Sequence, residues 1–213
     1  MTKDEIKQII QEERIRFIRL QFTDIFGQLK NIAINASQID RALKNQVTVD
    51  GSSIEGFLRL EESDMMLHPD LSTFTRLPWH GHSEHEARMI CDVHTPDGQP
   101  FKGDPRYILK QVVAEADQLG YTFNVGPECE FFLFHTDDNG HPTTHTNDEA
   151  GYFDLGPIDR GEIARRDICL ALEDMGFEIE ASHHESAPGQ HEIDFKYASA
   201  LKTADNIMTF KLA

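Results

Sequence analysis

Three observations on this 213-residue chain predict an α+β fold in two parts. Apolar residues in the first hundred positions alternate with a period of two in short runs, as half-buried strands do. Two later stretches carry apolar residues at the three-to-four spacing of amphipathic helices. Between these two kinds of pattern lies Thr95-Pro96-Asp97-Gly98-Gln99-Pro100, dense in turn formers. We therefore expect a small α+β domain over residues 13–97 and a second unit over residues 104–213.

Ile6, Ile9 and Ile10 share a helical face and open the chain with a helix. Arg16, Ile18, Leu20 and Phe22 then keep a strand's period, Thr23 to Gly27 turn, and Leu29 to Ile34 return as the second strand of a hairpin. Ser37 and Asp40 with Ile39, Ala42 and Leu43 read as a short capped helix, followed by strands at Val47 to Val49 and Met89 to Val93. Asp104-Pro105 begins the second unit, because Asp caps a helix and Pro fits its first turn. Leu109, Val112, Ala116 and Leu119 form that helix's stripe, and Gly120 stops it. Strands are expected at Tyr121 to Val125 and Glu128 to Phe134, on either side of Gly126-Pro127. Arg160 to Met175 is a second amphipathic helix, with Ala164, Ile168, Ala171, Leu172 and Met175 on one face and Gly176 as its stop. Strands at Phe177 to Glu185 and Gln190 to Tyr197 follow. A last helix from Ser199 carries Leu201, Ala204, Met208 and Phe210 and is expected to continue through Ala213, since no stop signal intervenes.

Lys and Arg total 20 against 37 Asp and Glu, a formal charge of −17 that opposes binding to nucleic acid or an anionic membrane surface. No apolar run approaches the ~20 residues of a membrane helix, and the charged opening Met1-Thr2-Lys3-Asp4-Glu5 lacks the features of a signal peptide. Cys91, Cys129 and Cys169 are odd in number and widely spaced, which argues against a disulfide framework or a thiolate zinc site and for a reducing cytoplasm. The acidity is concentrated: no Lys or Arg lies between Lys110 and Arg160, where ten Asp and Glu occur. A charge run of this kind is ordinarily a solvated face. Carboxylates inside apolar strand patterns, however, need a cation beside them.

Glu128-Cys129-Glu130 opens an apolar strand, so both carboxylates project from one face, continued by Phe132 and Phe134. If Pro188-Gly189 are the central residues of a tight turn, the strands around it pair Ala187 with Gln190 and Glu185 with Glu192. Facing carboxylates are destabilising until a counterion reverses the sign. Glu128, Glu130, Glu185 and Glu192 offer hard oxygen ligands and no thiolate, which suits Mg²⁺ or Mn²⁺ better than zinc. A pair of carboxylates also serves glycosidases as acid and base, but four clustered acids fit metals better. Neither glycine-rich phosphate-binding fingerprint occurs, so a nucleotide would be held through metal ions and other contacts. Asp50-Gly51-Ser52-Ser53 has the pattern of a structural Asx turn. His80, His82 and His85 match neither a helical nor a strand face and read as surface histidines.

Five segments in order carry a resemblance to a known family: Asp50 to Phe57, Glu62 to Met65, Gly126 to Phe132, Gly151 to Asp154, and His183-His184-Glu185 through Gly189-Gln190-His191-Glu192-Ile193. They resemble the signatures of type I glutamine synthetases, over essentially the whole chain. The seven-residue step from Glu185 to Glu192 with Pro-Gly inside it is most similar to the Gram-positive branch.

That resemblance implies a β-grasp domain over 13–97 and, over 104–213, catalytic-domain sequence with a curved antiparallel sheet. It implies the ATP-dependent joining of ammonia to L-glutamate through γ-glutamyl phosphate, with two or more Mg²⁺ or Mn²⁺ per site. By motif position, Glu130, Glu185 and Glu192 would hold one metal and Glu128 would contribute to the second. Glu180 would contact the nucleotide, while Tyr152 and Glu185 would border an ammonium pocket completed by Asp50 and Ser53 of a neighbouring subunit. The implied assembly is a homododecamer with shared active sites. Family members are roughly twice as long, so the chain is expected to be an N-terminal part that does not turn over alone. The alternatives are a non-catalytic assembly or regulatory relative, and a γ-glutamyl ligase that uses another amine.

Overall fold

The structure, a computed structural model, describes residues 1–54, 64–78 and 85–213. The chain divides into two compact units, Met1–Phe123 and Asn124–Ala213.

In the first unit, helix α1 (Lys3–Glu12) starts at a capping box: the Thr2 hydroxyl accepts from the Glu5 N–H and the Glu5 carboxylate from the Thr2 N–H. Its Ile6 and Ile10 are buried against the sheet side of the unit. Strands β1 (Phe17–Thr23) and β2 (Leu29–Asn35) form the expected hairpin. Asp24 closes its turn by accepting the Phe26 and Gln28 N–H groups at 2.9 Å each. The next helix departs from expectation. A 3₁₀ turn over Ala36–Gln38 comes first, so the N-cap residue of α2 (Ile39–Leu43) is Gln38 and Ser37 caps nothing. Strands β3 (Val47–Asp50), β4 (Asp64–Pro69), β5 (Thr75–Leu77) and β6 (Glu86–His94) complete a mixed sheet in the order β2-β1-β6-β4-β3, with β5 also on β6. Only β1 and β6 run parallel among these pairs. Ile18, Leu20, Leu67, Met89 and Val93 point into one core with Ala42 and Leu43 of α2.

Helix α3 (Pro105–Gln118) starts where Asp104 accepts the Arg106 N–H at 2.9 Å and, from the same buried carboxylate, the Val93 N–H at 3.0 Å. Half of its expected apolar stripe is exposed, Val112 by 49% and Leu119 by 75%, while Leu109 and Ala116 are only half-buried. The residue it buries is Arg106, which reaches Asp92 and Asp70 at 2.6 Å each. Gly120, at φ +83°, closes the helix, with its own N–H on Asp117 and that of Tyr121 on Ala116. Because Tyr121 belongs to this closure, the strand expected from it shortens to β7 (Asn124–Val125).

The second unit continues with β8 (Glu128–Phe132), β9 (Phe134–Thr136), β10 (Pro142–Thr146), α4 (Glu162–Asp174), β11 (Ile179–His184), β12 (Gln190–Phe195), β13 (Ala198–Ser199) and α5 (Ala200–Phe210). Its central sheet is β11-β12-β8, antiparallel throughout. One face of it packs on the helices, with Leu172, Ile193 and Phe195 fully buried and Phe131 and Phe195 against Phe210. The strand expected through Phe134 breaks at Leu133, whose N–H goes to Gly189 and whose carbonyl takes the Asn147 N–H. The β9–β10 hairpin was not expected, since its exposed Thr and His residues show no apolar period. Helix α5 ends at Phe210 with Lys211 as its cap residue, short of the run to Ala213 that the missing stop signal implied.

Asp104 gives a direct check on the first unit. Asp104→Ala leaves two buried N–H groups without their acceptor and is expected to cost about 2–4 kcal/mol, measured by urea unfolding. A loss below about 0.5 kcal/mol would mean that the carboxylate is not the helix cap.

Candidate metal centre

The β11-β12-β8 sheet carries its acids on the face turned away from Phe131, Ile193 and Phe195. In the ladder Glu130 lies opposite Glu192 and Glu128 opposite Asp194, while on the other side Glu192 lies opposite His183. Side chains alternate along each strand, so these groups form adjacent rows on one surface. The expected E-x-E geometry is present. Asp194 was missed, although two residues from Glu192 places it on the same face by the same count.

The hairpin register needs correction. Pro188 and Gly189 do occupy the centre of a tight turn: the Gln190 N–H reaches the Ala187 carbonyl at 3.0 Å, and Gly189 takes φ +66°. The ladder, however, closes with His184 opposite His191, and Glu185 donates its N–H to the Gln190 carbonyl at 2.8 Å. Two more residues therefore lie on the β11 side of the tip, and Glu192 faces His183 instead of Glu185. An offset of two keeps parity, so Glu185 stays on the acid face, where a carboxylate oxygen lies within 4.8 Å of one of Glu192.

Burial, then the Asp194 and Glu185 charges, push the Glu192 carboxyl up to about 7. The Ser186 N–H at 2.9 Å holds Glu185 below the usual carboxylate range. His183 lies between them, Nδ1 3.7 Å from Glu185 and Nε2 3.5 Å from Glu192. Gln190 donates to Glu130 at 2.5 Å. Tyr152 stacks on Phe153 with ring centroids 3.9 Å apart, and both rings meet His183 edge-on. Glu180 is exposed at the one irregularity of the β11–β12 ladder, outside these rows. In the first unit, Asp50 ends β3 and accepts the Ser52 N–H and hydroxyl at 2.9 and 2.6 Å, the expected Asx turn, with Ser53 exposed after it. Residues 55–57, 62, 63, 80 and 82 of the sequence motifs lie outside the described residues.

Behind the sheet is a second polar group, entirely buried: Asp148, Asp159, Arg165, His184 and His191. Burial would raise the Asp148 carboxyl, but N–H groups of Arg160, Gly189 and Ala150 and the His184 ring hold it at about 2. His184 has an acceptor on each nitrogen, the Glu185 carbonyl at 2.7 Å and Asp148 at 2.9 Å, so both nitrogens donate and the ring is charged. Burial opposes that charge, yet Asp148 and the carbonyl outweigh it and raise the pKa. His191 behaves oppositely. Burial and the adjacent Arg165, which donates to Nδ1 at 2.8 Å, keep it neutral. A Cβ at Gly161 would stand 2.2 Å from the His191 ring, so no other residue fits there.

Among the described residues, His183-Glu185-Glu192 and Asp148-His184-His191 each bring three potential ligand atoms within 4.8 Å. The second group offers a cation no free lone pair: N–H donors cover Asp148, Arg165 occupies His191 Nδ1, and the neutral ring therefore carries its proton on Nε2, which is buried without a partner. The first is oxygen-rich and crowded with like charge, which is the donor chemistry of a hard divalent cation.

Fold and site together define an α+β protein with a carboxylate-lined sheet whose donors are those of a hard divalent cation. Residues 14–96 match the family described as the glutamine synthetase β-grasp domain and residues 102–213 the glutamine synthetase catalytic domain. The chain belongs to the glutamine synthetase family. It is 64% identical over 211 residues to a glutamine synthetase of Clostridium saccharobutylicum and 60% identical over 212 residues to one of Staphylococcus aureus. Each alignment covers 99% of this chain and 48% of the relative, so the chain spans about half the length of the curated relatives it matches. A solved GmaS/ADP complex superposes with TM-score 0.84 at 29% identity, covering 97% of this chain and 47% of that one. A Plasmodium falciparum glutamine synthetase at 23% identity shares the fold with TM-score 0.84, covering 100% and 47%.

The raised Glu192 carboxyl has a thermodynamic consequence. Glu192 titrates at about 7 when folded against an ordinary value of 4.5, so without metal it destabilises the fold above pH 7 and ceases to do so below about 4.5. Glu192→Gln is therefore expected to stabilise the metal-free chain at pH 8 by about 1–3 kcal/mol. The gain should vanish as the pH is lowered to 5 in denaturant titrations with a chelator present. A destabilised variant at pH 8 would contradict the placement of Glu192 among like charges.

Proposed function

We propose that this chain is the part of an ATP-dependent glutamate–ammonia ligase that supplies the carboxylate side of the active site. One observation carries the reading: in a chain of this family, Glu130, Glu192 and Glu185 crowd on one sheet face, with Glu130 opposite Glu192 and carboxylate oxygens of Glu185 and Glu192 within 4.8 Å. Glu130, Glu185 and Glu192 hold one Mg²⁺ or Mn²⁺, and Glu128 contributes to a second. Such ions, when bound, neutralise charge on the phosphates of ATP as the γ-phosphoryl group passes to the γ-carboxylate of L-glutamate. Ammonia then displaces phosphate from γ-glutamyl phosphate. The exposed Glu180 contacts the nucleotide, as its motif position in the family resemblance implies.

Tyr152 and Glu185 border the ammonium site, with Tyr152 held on Phe153 against His183. Asp50 and Ser53 complete it from a neighbouring subunit of a cytoplasmic homo-oligomer, a dodecamer as the family resemblance implies. Asp50 takes a proton from ammonium there, a general-base role suited to a carboxylate beside a cation. Because Asp50 and Tyr152 are both present, ammonia is favoured over a larger amine. Among the described residues no helix is long and apolar enough to cross a membrane.

Metal binding tests the first part. Mn²⁺ titration of the chain followed by electron paramagnetic resonance should show at least a tenfold loss of affinity in Glu130→Gln and Glu192→Gln, and unchanged affinity in both would overturn the ligand assignment. Co-assembly tests the second. In mixed oligomers of subunits carrying this sequence, Asp50→Ala and Glu130→Gln, each inactive alone, should restore part of the glutamine formation. Proven mixed assembly without recovery would place the whole site in one subunit.

A further inference from the structure

The acid face does not hold its own shape. Glu185 lies just past the end of β11, where its N–H still reaches the Gln190 carbonyl at 2.8 Å but no ladder pair continues. Its main chain is held from behind, by His184 Nδ1 on its carbonyl at 2.7 Å. That ring is fully buried and is gripped on its other nitrogen by Asp148 at 2.9 Å. Asp148 in turn takes the Gly189 N–H at 3.1 Å, which lies across the hairpin tip from Glu185, and the Arg160 N–H at 2.9 Å. The two arms of the tip thus converge on one carboxylate 36 residues away in sequence from His184. Close packing secures the same junction: a Cβ at Gly189 would lie 2.8 Å from Thr146 Cβ. The His184 carbonyl also receives the Phe153 N–H at 3.1 Å, so the loop that carries Tyr152 hangs from the same residue.

We infer that Asp148, acting through the His184 ring, is a positioning residue for the metal centre: it sets the place of Glu185 and of the Tyr152 loop from behind the sheet. This rests on the metal reading of the acid face proposed above. Asp148 touches none of the acid-face carboxylates in the structure, and its carboxylate oxygens are occupied by N–H donors. Its effect on a cation would therefore be indirect, of the kind that outer hydrogen-bond partners of ligands exert, typically 10–100-fold in affinity.

Three variants separate positioning from plain stability. Asp148→Asn keeps the shape but turns a donor toward the Arg160 N–H. His184→Asn keeps a donor for the Glu185 carbonyl and cuts the tie to Asp148. Thr203→Val removes the buried Thr203 hydroxyl bond to the Val125 carbonyl, in the same unit, without touching the hairpin. Mn²⁺ dissociation constants are measured on the whole chain at a temperature where circular dichroism shows each variant folded. The expected result is a tenfold or greater loss of affinity in Asp148→Asn and His184→Asn, with Thr203→Val lowering the melting temperature at unchanged affinity. If Asp148→Asn does not fold, His184→Asn alone decides. Wild-type affinity in the folded His184→Asn or Asp148→Asn chain, alongside a loss in Glu192→Gln, would overturn the positioning role and leave the metal reading standing. A wild-type chain that binds no Mn²⁺ would overturn both.

Discussion

Everything in the second unit answers to the register of three antiparallel strands that set Glu130 beside Glu192 and Glu128 beside Asp194. Like charges in directly opposed positions disfavour that register by about 0.2–1 kcal/mol per pair. The opposite face outweighs them. Ile193 and Phe195 of the same strand are buried to within 2% of completely, and side chains of that size gain about 1.5–3 kcal/mol each on burial. A slip by one residue would expose them and bury the acids. The apolar face thus enforces an arrangement that the acid face alone would reject, and the unfavourable charge is left available to a cation.

The layer behind the sheet is polar at the hairpin end, where apolar packing would be cheaper. Asp159 and Arg165 form a buried ion pair at 2.6 Å, and Asp148 with His184 forms another at 2.9 Å. Buried pairs of this kind add little net stability over a well-packed apolar substitute, but removing one partner is costly. Their geometry is the more informative property. Asp148 binds main-chain groups at both ends of its own loop and at the hairpin tip, and Gly161 and Gly189 give up their Cβ so that the ring of His191 and the side chain of Thr146 can come close. Directional bonds to the main chain fix position in a way that apolar contacts do not.

Much of this was legible in the residues and some was not. The spacing of Glu128 and Glu130, the Asp104-Pro105 helix start, the Gly120 and Gly176 stops and the Asp50 turn all depend on local geometry, and each is found where its local rule puts it. Pro188-Gly189 likewise formed its turn. The register around it was not legible, because the tip is clasped by Leu133 and Asp148 from remote loops and a local turn rule cannot see them. The stripe of α3 was misread for a different reason: its spacing is helical, but the unit's core is filled by α1 and α2, and the inward side of α3 is an arginine paired to two aspartates. The buried Asp148-His184 tie left no local signal at all, since its partners are far apart in sequence and each resembles an ordinary polar loop or strand residue.

The most direct test of the charge-crowded sheet face is to grow crystals of the chain with Mn²⁺ and record anomalous diffraction at the manganese edge. The expected result is an anomalous peak on the acid face, in contact with Glu130, Glu185 and Glu192. A peak behind the sheet among Asp148, His184 and His191, or no peak at saturating Mn²⁺, would contradict it.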